Sequence, residues 1–148
     1  MGKVLGVDFG DRRTGVAVSD DSRTIAFPRE TLECPRVEQA AAAVARLAAA
    51  EQVAEIVVGL PVNMDGSRGP RAARTEEFLA ELARRTAVPL RRWDERLSTK
   101  VAEAVLIEAG TSRAKRRGVV DKLAAQVILQ NYLDAAGGAA DAADEAGR

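Results

Sequence analysis

The apolar run from Ile56 to Leu60 constrains the fold of this chain more than any other feature. Three of its five residues are β-branched, and no polar residue interrupts them. Such a run is typical of a strand in a parallel sheet whose two faces are both covered by helices. Residues 37–51 repeat apolar positions at helical spacing, and Pro70 stands near the start of a second helical pattern. The run therefore predicts a central strand of an α/β sheet.

The remaining elements follow from periodicity and from turn residues. Val4 to Phe9 predicts a buried strand, and the segment that follows its turn predicts the returning strand of a hairpin. Pro28 cannot donate to a strand ladder, which favours an edge position for the third strand. The predicted strands span residues 4–9, 14–19, 24–32, 56–60 and 88–93, and the predicted helices span residues 37–51, 70–85, 98–109 and 121–136. This order predicts a mixed five-stranded sheet flanked by helices.

A chain of 148 residues fits one domain, which we place at residues 1–136. Residues 137–148 are rich in Ala, Gly and Asp and lack large apolar side chains, so they predict a disordered tail. No apolar run reaches the length of a signal sequence or a membrane span. We therefore expect a cytoplasmic protein without a membrane partner.

The chain contains no histidine and a single cysteine, Cys34. Without histidine it cannot build a Ser-His-Asp triad, a Cys-His dyad or an H-E-x-x-H zinc site. One cysteine forms neither an internal disulfide nor a cysteine-rich zinc site, so we interpret Cys34 as a small buried apolar residue. Any catalysis must therefore use carboxylates, lysine, arginine or hydroxyl groups.

Three carboxylates stand where predicted elements end or begin. Asp8 closes the first strand, Glu95 follows the fifth, and Asp121 opens the last predicted helix. A buried carboxylate needs a partner because a lone buried charge is costly, and a metal ion would serve. Ligand sets made only of oxygen select hard cations such as Mg²⁺ or Mn²⁺, which activate water in phosphodiester cleavage. Asp8, Glu95 and Asp121 are therefore the candidate catalytic and metal-binding residues.

Two of these carboxylates also have simpler explanations. Asp94 could be the ligand in place of Glu95, or Glu95 could pair with the neighbouring Arg96. Aspartate is a favoured helix N-cap, which would explain Asp121. Its helical phase nevertheless favours a second role, because Asp121 heads an apolar stripe that continues through Ala125 toward the core.

Basic residues cluster along the chain although 22 basic and 22 acidic residues give a formal net charge of zero. A predicted basic loop at residues 113–117 precedes Asp121 and would hold a phosphate backbone near it. The loop at residues 63–67 would border the substrate. The predicted nucleic-acid contacts are Arg13, Asn63, Ser67, Lys115, Arg116 and Arg117. A second arginine run between residues 68 and 92 fits a solvated face as well as a polyanion-binding surface.

Four blocks of this sequence resemble the YqgF/RuvX family. They are residues 4–10 with 13–17, residues 59–67, residues 93–99, and residues 120–125 followed by 128–130. The blocks occur in order and cover nearly the whole chain apart from the tail. The resemblance implies an RNase H-like fold and a metal-dependent nuclease of the bacterial cytoplasm. It also implies that Asp8, Glu95 and Asp121 form the catalytic set.

The family is described both as Holliday junction resolvases and as nucleases that mature the 5′ end of the small-subunit ribosomal RNA precursor. The leading hypothesis is therefore an Mg²⁺- or Mn²⁺-dependent endonuclease acting on branched DNA or on precursor RNA. A resolvase makes two symmetric cuts, which favours a homodimer, whereas a processing nuclease could act as a monomer. The alternatives are a non-catalytic RNA-binding or ribosome-assembly protein and, less favoured, a phosphotransferase of the actin and sugar-kinase type. The latter needs a second domain that 148 residues do not supply.

Overall fold

The computed structural model describes residues 2–61, 69–94 and 113–138, with the side chains of residues 122–135 in the last segment. Five strands and three helices lie in these ranges: β1 Val4–Asp8, β2 Arg13–Ser19, β3 Ala26–Glu33, α1 Val37–Glu51, β4 Glu55–Leu60, α2 Pro70–Ala83, β5 Leu90–Asp94 and α3 Arg113–Gly138. All five strands and the first two helices begin and end within two residues of their predicted bounds. The helix predicted for residues 98–109 lies outside the described ranges, as do residues 139–148 of the tail predicted at 137–148, whose first two residues belong to the last helix.

The strands form one mixed sheet in the order β3-β2-β1-β4-β5. The pairs β1–β2 and β2–β3 are antiparallel, whereas β4 lies parallel to β1 and β5 parallel to β4. This arrangement confirms the predicted mixed sheet, with an N-terminal hairpin and parallel strands after it. No helix in the described part of the chain has the length and apolarity needed to cross a membrane.

The prediction for the last helix was wrong at its start. The helix α3 begins at Arg113, eight residues before Asp121, so the basic segment 113–117 is helical and not a loop. Arg, Lys and Ala all favour helix, and the helix continues through Gly118 despite the cost of a glycine inside it. Asp121 therefore lies inside α3, where it cannot be the N-cap.

The two faces of the sheet carry separate apolar clusters. Alternate residues of β1 point to opposite sides, as strand geometry requires. Leu5 and Val7 pack with the apolar faces of α1 and α2, whereas Val4 packs with α3 residues such as Leu129 and Leu133. In the central strands, alternate side chains therefore face α1 and α2 on one side of the sheet and α3 on the other.

Gly6 sets how closely α3 approaches β1. A Cβ atom added at Gly6 would stand 2.7 Å from the Cβ atom of Leu129 and 3.1 Å from the carbonyl oxygen of Ala125. No side chain fits there, so the backbones of helix and strand lie in direct contact. Gly6 thereby lets α3 lie directly on β1 at the position of Ala125 and Leu129.

The edge strand β3 is sealed by side chains of α3. The backbone N–H of Ala26 donates to Oε1 of Gln130 at 2.9 Å, and Nε2 of Gln126 donates to the Ala26 carbonyl at 3.0 Å. Pro28 lies next to a bulge between β2 and β3, which agrees with the predicted edge position. Backbone groups at the start of β3 are therefore occupied by side chains and are not open to pairing with another strand.

Candidate active site

The strands β1, β4 and β5 run in the same direction and end at one edge of the sheet, which we call the carboxyl edge. Their last residues are Asp8, Leu60 and Asp94, and the register pairs Leu60 with Asp94. The opposite edge, where these strands begin at Val4, Glu55 and Leu90, is called the amino edge below. In open α/β sheets the carboxyl ends of the strands are where ligands bind.

Asp8 ends β1 on the face that α3 covers. It lies two residues after Gly6, which contacts α3, and alternation places both positions on the same side of the sheet. Its strand partner across β2 is Gly15, which has no side chain to occupy the space beside it. The Oδ1 atom of Asp8 is buried. A buried carboxylate at a strand end is suited to hold a cation, because a buried charge needs a partner of opposite sign.

Asp94 lies on the other face of the sheet from Asp8. Its neighbour Trp93 packs edge-on against Tyr132 of α3, with the ring centroids 6.1 Å apart. Arg92 bonds instead to Glu76 of α2, at 2.8 Å from Nη2 to Oε1. Because alternate residues share a face, Asp94 belongs to the side of Arg92. This placement argues against Asp94 as a partner of Asp8. Glu95, the next residue, lies outside the described ranges.

The backbone of Asp121 lies level with Asp8 along the sheet. The hydroxyl of Tyr132, near the end of α3, bonds to Glu55 at the start of β4, so α3 runs from the carboxyl edge toward the amino edge. Asp121 is one turn before Ala125, a rise of about 6 Å. Asp8 is two residues beyond Gly6, which is about 7 Å of strand. Since Ala125 contacts Gly6, the two offsets match.

Whether a divalent cation can bind at this edge depends on the ligand atoms that the edge offers. Asp8, Glu95 and Asp121 offer only carboxylate oxygens, the ligands that Mg²⁺ and Mn²⁺ prefer. Among the described side chains, which include Asp8 but not Glu95 or Asp121, no group of three or more His, Cys, Asp or Glu could hold a metal ion. The buried carboxylate of Asp8 and the chemistry of the donor set fit such an ion.

The predicted phosphate contacts are only partly placed. Arg13 is the first residue of β2, half-buried at the carboxyl edge, where it is the strand partner of Glu33. Lys115, Arg116 and Arg117 lie in the first turns of α3, and only their backbone is described. Asn63 and Ser67 belong to a segment beyond the described residues. The first turns of α3 therefore lie on the carboxyl-edge side of Asp121.

The second arginine run divides into two groups in the structure. Four of its members form ion pairs with glutamates, namely Arg84, Arg85, Arg91 and Arg92. Arg71 and Arg74 lie instead in the first turns of α2, close to the carboxyl edge. The sequence left the whole run open between a solvated face and a polyanion-binding surface, although a spacing of three residues in a helix was a signal that Arg71 and Arg74 share one face.

Arg74 is held above the β1–β2 turn. Its Nε atom is buried and lies 3.1 Å from Oδ1 of Asp11, as an ion pair in which the N–H is not aimed at the oxygen. Its guanidinium also lies 5.9 Å from the ring centroid of Phe9, which stacks on Phe78. Phe9 follows Asp8 directly. The guanidinium therefore stands beside the strand end that carries the candidate catalytic carboxylate.

Solved structures of similar fold are resolvases. Thermus thermophilus RuvC in complex with a Holliday junction substrate superposes with a TM-score of 0.62 at 16% identity, covering 93% of this chain and 97% of that one. The fowlpox virus resolvase bound to Holliday junction DNA superposes with a TM-score of 0.53 at 11% identity, covering 90% and 97%. The fold is thus the RNase H-like fold of RuvC, as expected.

The sequence comparisons define the family. Residues 2–135 match the model of the RuvX family, described as Holliday junction resolvase. A "Putative pre-16S rRNA nuclease" of Halothermothrix orenii is 48% identical over 132 residues, covering 89% of this chain and 94% of the relative. The protein of the same name from Agrobacterium fabrum is 45% identical over 141 residues, covering 95% and 89%. The chain belongs to the RuvX family, and family and fold together make it a nuclease that acts on nucleic acid.

Proposed function

We propose that this protein is an endonuclease that needs Mg²⁺ or Mn²⁺, with Asp8, Glu95 and Asp121 as its metal-binding catalytic residues. The observation that carries the proposal is the match between Asp8 and the backbone of Asp121 on one face of the carboxyl edge. Glu95 is assigned because it directly follows the end of β5 at this edge. The family resemblance points to the same three residues.

When bound, the divalent ions would activate a water molecule and stabilise the leaving oxygen of the phosphodiester. The chain itself contributes the carboxylates that hold them and the fixed backbone geometry between β1 and α3. It offers no imidazole as a general base, because it contains no histidine. Arg13 and the basic start of α3 are proposed to bind the phosphates on either side of the cleaved bond.

The substrate we favour is the precursor of the small-subunit ribosomal RNA. Relatives named for that activity are 45–48% identical to this chain over about nine-tenths of its length. A four-way DNA junction is the second candidate, favoured by the superposition on RuvC bound to such a junction. The two candidates differ in what they demand of assembly, since paired symmetric cuts require a two-fold dimer.

A cleavage assay with both substrates tests the proposal. Wild type and Asp8→Asn would be incubated with a 5′-extended ribosomal RNA precursor and with a synthetic four-way junction, each in Mg²⁺, in Mn²⁺ and in EDTA. The matched control is Asp21→Asn, which neutralises an exposed aspartate in the turn that connects β2 to β3. We expect cleavage of the RNA by wild type and by the control, and no cleavage by Asp8→Asn or in EDTA.

The other outcomes are equally informative. Paired nicks across the junction, absent in Asp8→Asn, would replace RNA by branched DNA as the substrate and would require a homodimer. Equal cleavage by Asp8→Asn and wild type would overturn the assignment of the site. Binding of RNA without cleavage, unchanged in EDTA, would favour the non-catalytic RNA-binding alternative.

A further inference from the structure

Arg74 is positioned more tightly than a surface arginine needs to be. Asp11 approaches its Nε atom at 3.1 Å, and the ring of Phe9 lies 5.9 Å from its guanidinium carbon. Phe9 is itself fixed by stacking on Phe78, with 4.6 Å between ring centroids. Two neighbours thus restrain the plane of the guanidinium, which reduces the rotamer entropy that binding a ligand would cost.

The restrained guanidinium keeps its outer donors available. Its Nε atom is buried, but the Arg74 side chain is 41% exposed. None of the described residues accepts a hydrogen bond from its two Nη groups. A planar pair of Nη donors matches two oxygens of a phosphate. The arrangement therefore offers a preformed bidentate donor at the carboxyl edge.

Stability alone does not account for this arrangement. The carboxylate of Asp11 is 65% exposed, and ion pairs that are exposed to water contribute little to folding. Arg92, on β5, is 51% exposed and shows a different arrangement, because both oxygens of Glu76 accept hydrogen bonds from its Nε and Nη2 atoms. Among the described residues Arg74 has one carboxylate neighbour, Asp11, and its Nη groups donate to none of them.

We propose that Arg74 is a substrate-binding residue that holds a phosphate of the nucleic acid next to the cleaved one. Asp11 and Phe9 act as its positioning residues. Phe9 adjoins Asp8, so the phosphate bound by Arg74 lies on the α2 side of the edge, across from α3. Arg71, one turn earlier, is exposed and forms no ion pair with any residue in the described ranges. It extends the phosphate-binding surface that Arg74 begins. This inference rests on the proposed nuclease function.

Binding without cleavage tests the inference separately from catalysis. Affinities of wild type, Arg74→Gln and the control Arg84→Gln would be measured for the RNA precursor and the four-way junction, with Ca²⁺ in place of Mg²⁺ or Mn²⁺. Arg84 is a matched control because it is 76% exposed at the other end of α2 and its one ion pair among the described residues is with Glu81. We expect Arg74→Gln to bind about tenfold more weakly. Its plot of log affinity against log salt should lose about one unit of slope.

Two further variants distinguish phosphate binding from a structural role. Arg74→Lys keeps the charge but loses the planar pair of donors, so it should restore the salt slope and only part of the affinity. Asp11→Asn breaks the same ion pair and leaves the guanidinium in place. A structural role would give Asp11→Asn and Arg74→Gln equal losses of melting temperature and no change of salt slope.

The possible results distinguish the role of Arg74 from the proposed nuclease function. Wild-type affinity and slope in Arg74→Gln, beside a wild type that binds nucleic acid, would overturn this inference alone. Failure of wild type to bind either nucleic acid would overturn the proposed function and this inference with it.

Discussion

The two edges of the sheet use charge in opposite ways. At the amino edge, the buried carboxylate of Glu55 accepts a hydrogen bond from the Tyr132 hydroxyl at 2.6 Å and from Nε of Arg91 at 3.3 Å. Arg23 adds an ion pair at 3.7 Å. At the carboxyl edge, the strand partner of Asp8 is Gly15, and the side chains of Arg71 and Arg74 on α2 are exposed in whole or in part. The amino edge pairs its charges in a buried cluster, whereas the carboxyl edge carries arginine side chains that solvent reaches.

Other charged groups repeat this contrast. Glu51, at the end of α1 on the amino edge, pairs with Lys3 at 3.4 Å and with Arg29 at 2.9 Å. The hydrogen bond from Arg29, followed by that from Lys3, lowers the pKa of Glu51 against the opposing effect of burial. Arg71, on the carboxyl side, has no such pairing among the residues that the structure describes.

Contacts away from the candidate site hold α3 in place. Helix α3 spans both edges, with Tyr132 bound to Glu55 near one end and Asp121 toward the other. The bond between Tyr132 and Glu55, the contact at Gly6 and the bonds between the α3 glutamines and β3 together fix α3 against the sheet. The backbone of Asp121 is therefore held level with Asp8 at the carboxyl edge.

The largest expected effect comes from Asp8→Asn. Removing one carboxylate from the metal site should lower cleavage by about a thousandfold or more, since metal ions contribute several kcal/mol to the transition state. The free energy of unfolding, measured by urea denaturation without divalent ions, should not fall. A clear loss of stability with activity intact would mean that the carboxyl edge is structural like the amino edge.

Glu55→Ala should show the reverse pattern. It leaves Arg91 and the Tyr132 hydroxyl without their buried partner, and breaking a buried ion pair costs about 3 kcal/mol. Urea denaturation would measure this loss, and Glu30→Ala, an exposed pair with Arg29, is the matched control. If Glu55→Ala unfolds like wild type, the amino edge does not hold α3.

Gly6→Ala tests the contact between the two edges. The added Cβ atom would stand 2.7 Å from the Leu129 Cβ atom, so α3 must move away from β1. Overpacking of this kind costs about 2 kcal/mol. Cleavage should also fall, because Asp121 moves with the helix. Ala17→Gly, at the strand partner of Gly6, changes the same layer by a methyl group without the clash, and there we expect cleavage to be retained.

Tyr132→Phe removes only a hydroxyl and should cost about 1 kcal/mol. The ring remains to pack edge-on against Trp93. Cleavage measured per folded molecule should stay close to that of wild type, since Glu55 keeps its bond from Arg91. A loss of stability near that of Glu55→Ala would show that the hydroxyl carries most of the cluster.

The smallest effect is a pH dependence at the amino edge. Burial, followed by the hydrogen bond to Glu55, raises the pKa of Tyr132 from 10.0 to about 12. Because the folded pKa exceeds the unfolded one, this stabilisation is complete below pH 10 and is lost as pH rises toward 12. The difference in unfolding free energy between wild type and Tyr132→Phe should therefore shrink across that range. A constant difference would contradict the shift.

Local patterns predicted most of the fold. Helix α1 lies at its predicted residues, and Pro28 lies on an edge strand as its missing N–H required. The start of α3 was missed because a basic segment with an internal glycine was interpreted as a loop. Asp8 could be singled out because the end of a buried strand is visible in the sequence itself.

The pairing of charges could not be predicted in the same way. Glu55 and Tyr132 are 77 residues apart, and Ala26 and Gln130 are 104 apart, so no local pattern relates them. The interpretation of the second arginine run stayed open because its members look alike until α2 and β5 are placed.

The sequence by itself determined the strands, the first two helices and the carboxylate at the end of β1. These features depend on hydrophobic period and on turn residues, which act over a few neighbouring positions. Tertiary packing determines which arginines form ion pairs with glutamates and which stay exposed to solvent. That choice depends on the register between distant elements, and here the contact of α3 with Gly6 and the placement of α2 beside the β1–β2 turn set it.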